Sequence, residues 1–507
     1  MRFVPALAAL LLSAAPAWPL DLPANTSQET RACVDCHTQQ TPGIVYDWLT
    51  SRHARTLPRE ALTKPPLERR VSAQKAPAEL AGVTVGCHEC HSLRPQQHAD
   101  NFAHFGRRIN VVVSPADCAT CHPEEARQFG GSKKAHAWGN LVLNPVYNLL
   151  VESVTSVKEL REGELARLPA SEEAKWETCL GCHGTKVEVK GTRRLQTAIG
   201  AIEVPNLLRW PNQGVGRLNP DGSRGSCASC HARHAFHVAD ARHPYTCGQC
   251  HLEPDVPGWN VYKESKHGNI YEARESTFNY EAVPWRVGRD FTTPTCAACH
   301  NALVVDERGE PLAQRSHDFG ARLWVRLFGL IYSHPEPRGG DTSIISNAEG
   351  QPLPTTFAGR PAGEFLISAE EGQRRQEGME RVCRGCHSGS WTAGHMARLA
   401  ATNRETDQMV AAATALMQRA WQAGLADPAN PFDEAAELLW VRQWLFYANS
   451  VRYASAMSGA PDYAAFKNGW WSLSETVAKL AEKAKVGPPT PSVPGGRRPA
   501  AGGSTGP

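Results

Sequence analysis

The pentapeptide Cys-x-x-Cys-His occurs eight times in this chain, and the eight copies use all 16 of its cysteines. They comprise Cys33, Cys36 and His37; Cys87, Cys90 and His91; Cys118, Cys121 and His122; and Cys179, Cys182 and His183. Cys227, Cys230 and His231; Cys247, Cys250 and His251; Cys296, Cys299 and His300; and Cys383, Cys386 and His387 complete the set. Two thiols one short turn apart add across the two vinyl groups of a porphyrin, and the histidine that follows lies under the iron as its proximal ligand. A single copy is compatible with a zinc knuckle, a redox dithiol or chance. Eight copies that leave no cysteine over are not, and they imply eight covalently attached haems c.

Successive motifs begin 54, 31, 61, 48, 20, 49 and 87 residues apart. At that density the porphyrins must pack on one another and supply much of the core. Short helices ending in each motif, joined by Gly/Pro-rich loops, suit this better than large sheets. The fold class is therefore mainly α: a multihaem cytochrome c with a C-terminal helical bundle and very little β. Ile109–Val113 and Val187–Val189 are the best strand candidates. Of 507 residues, 41% are hydrophobic and 21% charged, with a net charge of +3, so nothing favours nucleic acid or another polyanion. The sequence contains no phosphate loop, nucleotide fingerprint or zinc-protease helix.

Residues 1–20 read as a signal peptide: Met1-Arg2, an apolar run from Phe3 to Ala15, and small residues at Ala15-Pro16-Ala17. Export to the periplasm is expected, because haem attachment to thiols takes place outside the cytoplasm. No later window approaches 18 apolar residues, so the mature chain is expected to be soluble. Residues 21–363 form a multihaem region with seven motifs, and 364–486 a C-terminal helical region carrying the eighth. Within the latter, Ser368-Ala-Glu-Glu371 predicts a helix start running into Cys383. Met409, Ala413, Leu416, Met417 and Trp421 repeat at helical spacing. Asp427 to Pro431 breaks that helix, a second is predicted from Phe432 to Met457, and a third from Tyr463 to Lys485. Residues 487–507 read as a disordered Pro/Gly-rich tail.

Eight proximal ligands leave 12 of the 20 histidines, and His88 is held inside a motif. A haem with two histidines moves electrons, whereas one with an open position can bind a substrate. Several histidines follow a small or basic residue, as in Ser51-Arg-His53, Lys134-Ala-His136, Ser265-Lys-His267 and Ser316-His317. With His104, His234, His334 and His395 these are the distal-ligand candidates, and His98, His237 and His243 stand in reserve. Counting alone leaves open whether any haem lacks a sixth ligand.

The stretch from Cys227 to Tyr271 resembles the hydroxylamine oxidoreductase family of octahaem cytochromes. The matching residues are Ser226 to Phe236, Cys247-Gly-Gln-Cys250-His251-Leu-Glu-Pro-Asp255 and Tyr262-Lys-Glu-Ser-Lys-His267-Gly. The segments 327–335, Phe365 to Glu371, Arg452-Tyr453-Ala-Ser-Ala-Met457 and Asp462-Tyr463 are similar too, so the resemblance runs from Cys33 to about Lys485. It implies seven bis-histidine haems and one five-coordinate haem at the fourth motif, with Asp255 and Tyr332 in its distal pocket. In oxidising members a C-terminal tyrosine bonds to that porphyrin, often from a neighbouring subunit of a trimer. Tyr453 is the leading match and Tyr463 the second. A homotrimer and a periplasmic or membrane-anchored cytochrome c as electron partner are implied in the same way.

One position departs from the family: Val256 stands where a histidine usually follows the aspartate, which removes one proton relay. The leading reading is oxidation of hydroxylamine or hydrazine, with Asp255 accepting protons. Its competitors are reduction of nitrite or hydroxylamine on the same scaffold, and a non-enzymatic electron conduit in which every haem has six ligands. No motif ends in lysine, which argues against the pentahaem nitrite reductases.

Overall fold

A computed structural model of the chain describes residues 21–197, 199–328 and 331–485, so the expected signal segment and the whole of the expected tail lie outside the described residues. Helices dominate, and many are a single turn built on a haem motif: Cys87–His91, Cys179–His183 and Cys296–His300. The motif favours such a turn because residues three apart share a helix face, which places both thiols on one side. Polar caps fix where the turns begin. The Ser27 hydroxyl accepts from the Thr30 amide at 3.1 Å, starting Gln28–Gln40 and with it the first motif. Ser114 and Asp117 cap each other reciprocally at the third motif, with Pro115 in the first turn.

The strands form five small sheets among the described residues. Both strand candidates lie at or beside strands, but the sheets are more numerous than the sequence suggests. Val157–Arg161 pairs with Glu164–Leu168, and Glu188–Thr197 with Gly200–Leu208. The first hairpin turns at Glu162 and Gly163, both at positive φ, a geometry that brings the strands back at their natural twist. Its strands carry charged residues at five of their ten positions, so no clean apolar alternation announces them. A two-residue pairing sets Arg326 opposite His334.

Toward the C-terminus, Ser368 accepts from the Glu371 amide at 3.2 Å and starts Ala369–Arg384, the helix that delivers Cys383. Gly389–Gln422 follows and packs against Trp470–Lys483 around a core of Trp440, Trp444, Phe432, Met417 and Leu473. Two expected helices are broken differently. The second runs Ala435–Arg442, widens into a π-turn at Gln443–Tyr447, and resumes as Ala448–Ala456. The third splits into Pro461–Ala465 and Trp470–Lys483. The resumed helix carries Asn449, Arg452 and Tyr453. Arg452 is fully buried, pairs with Asp407 and donates to the Leu327 carbonyl at 3.1 Å, which fixes that helix on the segment leading to Ser333 and His334. No helix among the described residues is long and apolar enough to cross a membrane.

Candidate haem centres

Sixteen free cysteines and eight proximal histidines can be tested for fit to haem by what faces each histidine. Two metal–imidazole bonds of about 2 Å in line, plus about 1.1 Å from each nitrogen to its ring centre, separate the ring centres by about 6 Å. Five pairs meet this spacing: His37 and His104 at 6.3 Å, His91 and His234 at 6.5 Å, His122 and His53 at 6.4 Å, His231 and His317 at 6.4 Å, and His387 and His267 at 6.1 Å. Each pair joins one motif histidine to one distal candidate, with room for an iron between them. The residues therefore fit the group. The ring atoms away from the gap are held by protein: the His91 Nδ1–H donates to the Asn110 carbonyl at 2.7 Å, and His37 Nδ1 lies 2.8 Å from the Thr41 hydroxyl. Such contacts fix the tautomer and leave Nε2 for a metal.

The thiols of different motifs also meet. Cys33 lies beside Cys87, Cys118 beside Cys227, Cys182 beside Cys250 and Cys247 beside Cys296. The first motif thus adjoins the second, the third the fifth, and the sixth both the fourth and the seventh.

Among the described residues three motif histidines, His183, His251 and His300, face no second imidazole at this spacing. The His183 Nδ1–H donates to the Ala137 carbonyl at 3.1 Å, and burial pushes its basicity down. His251 has its Nε2 2.8 Å from Lys134 Nζ. His300 is pushed down to about 4, first by burial and then by the charges of Arg322 and Lys134. The three remaining distal candidates are placed otherwise. His136 lies with Nε2 3.0 Å from the Gly130 carbonyl and Nδ1 3.9 Å from Asp341. His395 stacks on Trp391, which itself stacks on His387 at 3.9 Å. The His334 Nδ1–H donates to the Pro335 carbonyl at 2.8 Å, while its buried Nε2 has no partner. Of the reserves, His98 is locked between Asp100 and Asp117, each at 3.2 Å, His237 lies 3.2 Å from the Thr50 hydroxyl, and His243 lies 3.0 Å from the Tyr271 hydroxyl.

The fourth motif gathers charged and aromatic groups. Asp255 lies close enough that its charge helps hold the Cys179 and Cys182 thiols and the Tyr453 hydroxyl protonated. Its side chain is exposed as a whole, yet the protein crowding its carboxyl pushes the acid above its ordinary range, against the pull of the Asp255 and Val256 amides. Asn449 donates to the Asp255 carbonyl at 2.7 Å and fixes the loop. Tyr453 is 8% exposed, stacks on Phe328 at 5.7 Å and 16°, and is raised well above its ordinary range by burial. Arg326 lies over the Phe328 ring at 5.2 Å, and its charge reaches both His183 and Tyr453.

The other two tyrosines are engaged elsewhere. Tyr463 joins the same apolar cluster as Tyr453, but its hydroxyl donates to Glu253 at 3.0 Å. Tyr332 is not brought to Asp255: its hydroxyl donates to the Phe357 carbonyl at 2.9 Å and its ring lies in the large C-terminal core. Sequence reasoning passed over Lys134, Arg326 and Asn449. Lys134 stood in plain view beside His136, whereas Arg326 and Asn449 lie in no motif and become visible only through the chain's path.

Two family models match parts of the chain: a multihaem cytochrome model with seven CxxCH motifs over residues 220–307, and one for cytochrome c554 and c-prime over residues 117–202. A probable nitrite reductase-hydroxylamine oxidoreductase fusion protein of Kuenenia stuttgartiensis is 26% identical over 284 residues, which is 53% of this chain and only 25% of the fusion protein. The solved structure of a hypothetical multiheme protein is 41% identical, with a TM-score of 0.86 over 92% of this chain and 96% of that one. A reducing HAO-like protein complex of Kuenenia stuttgartiensis shares the fold at 19% identity, with a TM-score of 0.59 over 90% of this chain and 85% of that one. The fold and the histidine–cysteine arrangement thus define a multihaem c-type cytochrome. Within that class the chain belongs to the same family as the hypothetical multiheme protein, and it shares its fold with the HAO-like protein.

Proposed function

We propose that the protein is an exported octahaem oxidoreductase that oxidises hydroxylamine or hydrazine at a five-coordinate haem held by Cys179, Cys182 and His183. The electrons then leave through the other haems to a cytochrome c. The observation that carries this reading is that, of the three motif histidines that face no second imidazole among the described residues (His183, His251 and His300), it is His183 whose motif has Asp255 and Tyr453 beside it. When bound, the haem supplies an iron with an open position for substrate nitrogen and an acceptor for electrons. The chain does the rest. Ala137 holds the His183 Nδ1–H and so presents Nε2. The Asp255 carboxylate takes up substrate protons, and its raised proton affinity brings it nearer the range where a base works at neutral pH. Asn449 holds the backbone of Asp255, donating to its main-chain carbonyl. Tyr453 is the residue to bond to the porphyrin, ahead of Tyr463, whose hydroxyl is committed to Glu253. The closeness of Cys182 and Cys250 supports the sixth-motif haem as the first electron acceptor. A homotrimer is proposed on family resemblance.

A second reading, reduction of nitrite or hydroxylamine, is favoured by Arg326, whose cation near His183 suits an anionic substrate. The fusion relative's name also joins nitrite reductase to hydroxylamine oxidoreductase. Anaerobic mixing of the oxidised, haem-loaded protein with hydroxylamine distinguishes them. Rapid haem reduction, with turnover when cytochrome c is added, supports oxidation. No haem reduction, with viologen-driven consumption of nitrite, supports the reverse. Neither activity would leave an electron conduit.

A further inference from the structure

The sixth motif has an unusual counterpart. His251 faces no second imidazole among the described residues, yet its Nε2, the nitrogen a motif histidine offers to iron, is 2.8 Å from Lys134 Nζ. His136, two residues further on and the expected ligand from this segment, is turned to the Gly130 carbonyl and Asp341. Lys133 is committed to Glu336 at 2.5 Å, whereas no carboxylate among the described residues pairs with Lys134. Its ammonium lies 5.8 Å from the centre of the Phe319 ring.

The geometry points to Lys134 as the sixth ligand of the haem carried by Cys247, Cys250 and His251, giving that haem histidine–amine ligation. An iron between the two nitrogens needs them about 4 Å apart, twice the usual metal–nitrogen bond of about 2 Å. The flexible four-carbon lysine stem supplies the extra reach. On ligation the ammonium releases its proton and the amine lone pair binds iron, with no change of oxidation state. An amine is a σ donor without the π system of imidazole, so this haem, whose Cys250 lies beside Cys182 of the fourth motif, is set apart from its bis-imidazole neighbours.

Near-infrared magnetic circular dichroism of the oxidised, haem-loaded wild-type protein tests this without any substitution. One haem with a histidine–amine charge-transfer band is expected beside the bis-imidazole set, and the absence of that band overturns the assignment. Lys134→Leu should remove the band and let the dithionite-reduced protein bind one more equivalent of carbon monoxide than wild type. Lys134→His should return carbon monoxide uptake to the wild-type level with a bis-imidazole band. A Lys134→Leu protein with unchanged band and uptake also overturns it, and would assign Lys134 to a haem propionate. If Lys134→Leu does not load haem, the wild-type spectrum still decides. The increment between variant and wild type tests Lys134, while the wild-type uptake itself tests the open fourth haem, so the two ideas fail separately.

Discussion

The side-chain amide of Asn449 donates to the backbone carbonyl of Asp255 at 2.7 Å, tying the C-terminal helix that carries Tyr453 to the loop beside the fourth haem motif. Asn449 sits just after the π-turn at Gln443–Tyr447, where the extra residue rotates the helix and aims this side chain at the loop. Asn449→Ala should lower stability by about 0.5–1.5 kcal/mol, because it removes a partly buried hydrogen bond. It should also slow turnover while leaving haem content and carbon monoxide uptake unchanged, as thermal melts and pyridine haemochrome assays would read.

Asp255→Asn is expected to reduce hydroxylamine oxidation by roughly 10²- to 10⁴-fold, the usual contribution of a positioned base. Burial raises the folded-state proton affinity of Asp255 above that in the unfolded chain. The wild-type rate should therefore fall as pH drops through the raised value, and the variant should lose that acid limb. The sign for stability is opposite. The folded protein holds the proton more tightly, so this group's contribution is lost as pH rises through the same window. The variant should consequently be the more stable protein at pH values above it.

His98 is a structural titrating group. Burial pushes its basicity down, but hydrogen bonds to Asp100 and Asp117 outweigh this and hold it up at about 9. Asp117 immediately precedes Cys118, and Asp100 accepts from the Val112 amide at 2.7 Å, so the imidazolium knits the second and third haem motifs together. With an unfolded value near 6.5, its stabilisation is complete below that pH and lost as pH rises through about 9. A shift of that size corresponds to roughly 3 kcal/mol. Denaturant titrations between these pH values should show the slope in wild type and its absence in His98→Gln.

Removing the carboxylate in Asp407→Leu leaves the guanidinium of Arg452 buried without its counter-ion. A loss of about 3–5 kcal/mol is expected. Ser333 donates to the same carboxylate from its amide at 3.1 Å and its hydroxyl at 2.5 Å, so the 331–335 segment should loosen as well. Limited proteolysis of the variant should cut near Ser333, where wild type resists.

If Tyr453 bonds to the porphyrin, the reduced protein shows a band to the red of the ordinary Soret peak, and Tyr453→Phe abolishes it. Tyr463→Phe removes only the hydrogen bond to Glu253 and should leave the spectrum as it was.

Much of this arrangement was legible in the residues. Ser51-Arg-His53 and Ser265-Lys-His267 proved to be helix caps: Ser51 accepts from the Ala54 amide and Ser265 from the Gly268 amide, which places each histidine in the first turn of a short helix, facing a motif histidine. That local chemistry is written in neighbouring residues, so sequence carries it. The same pattern misled at Lys134-Ala-His136, where no serine cap fixes the turn and the chain aims the lysine, not the histidine, at a motif. Tyr332 was expected in the distal pocket, but its place is decided by packing against residues far along the chain, such as Phe357 and Val410. Arg326 near His183 has the same origin, because a two-residue strand pairing with the His334 segment fixes it. The hairpin from Val157 to Leu168 has charged and apolar residues mixed along both strands, so its turn alone marks it.

Carbon monoxide titration of the dithionite-reduced, fully haem-loaded wild-type protein tests the account at its centre. With the haem of His183 open and the other seven each holding two protein ligands, as the family resemblance implies, one haem in eight should bind carbon monoxide, and saturating hydroxylamine should compete with it. No uptake at all would mean that every haem carries two protein ligands, and the fourth motif would then be one more step in a wire.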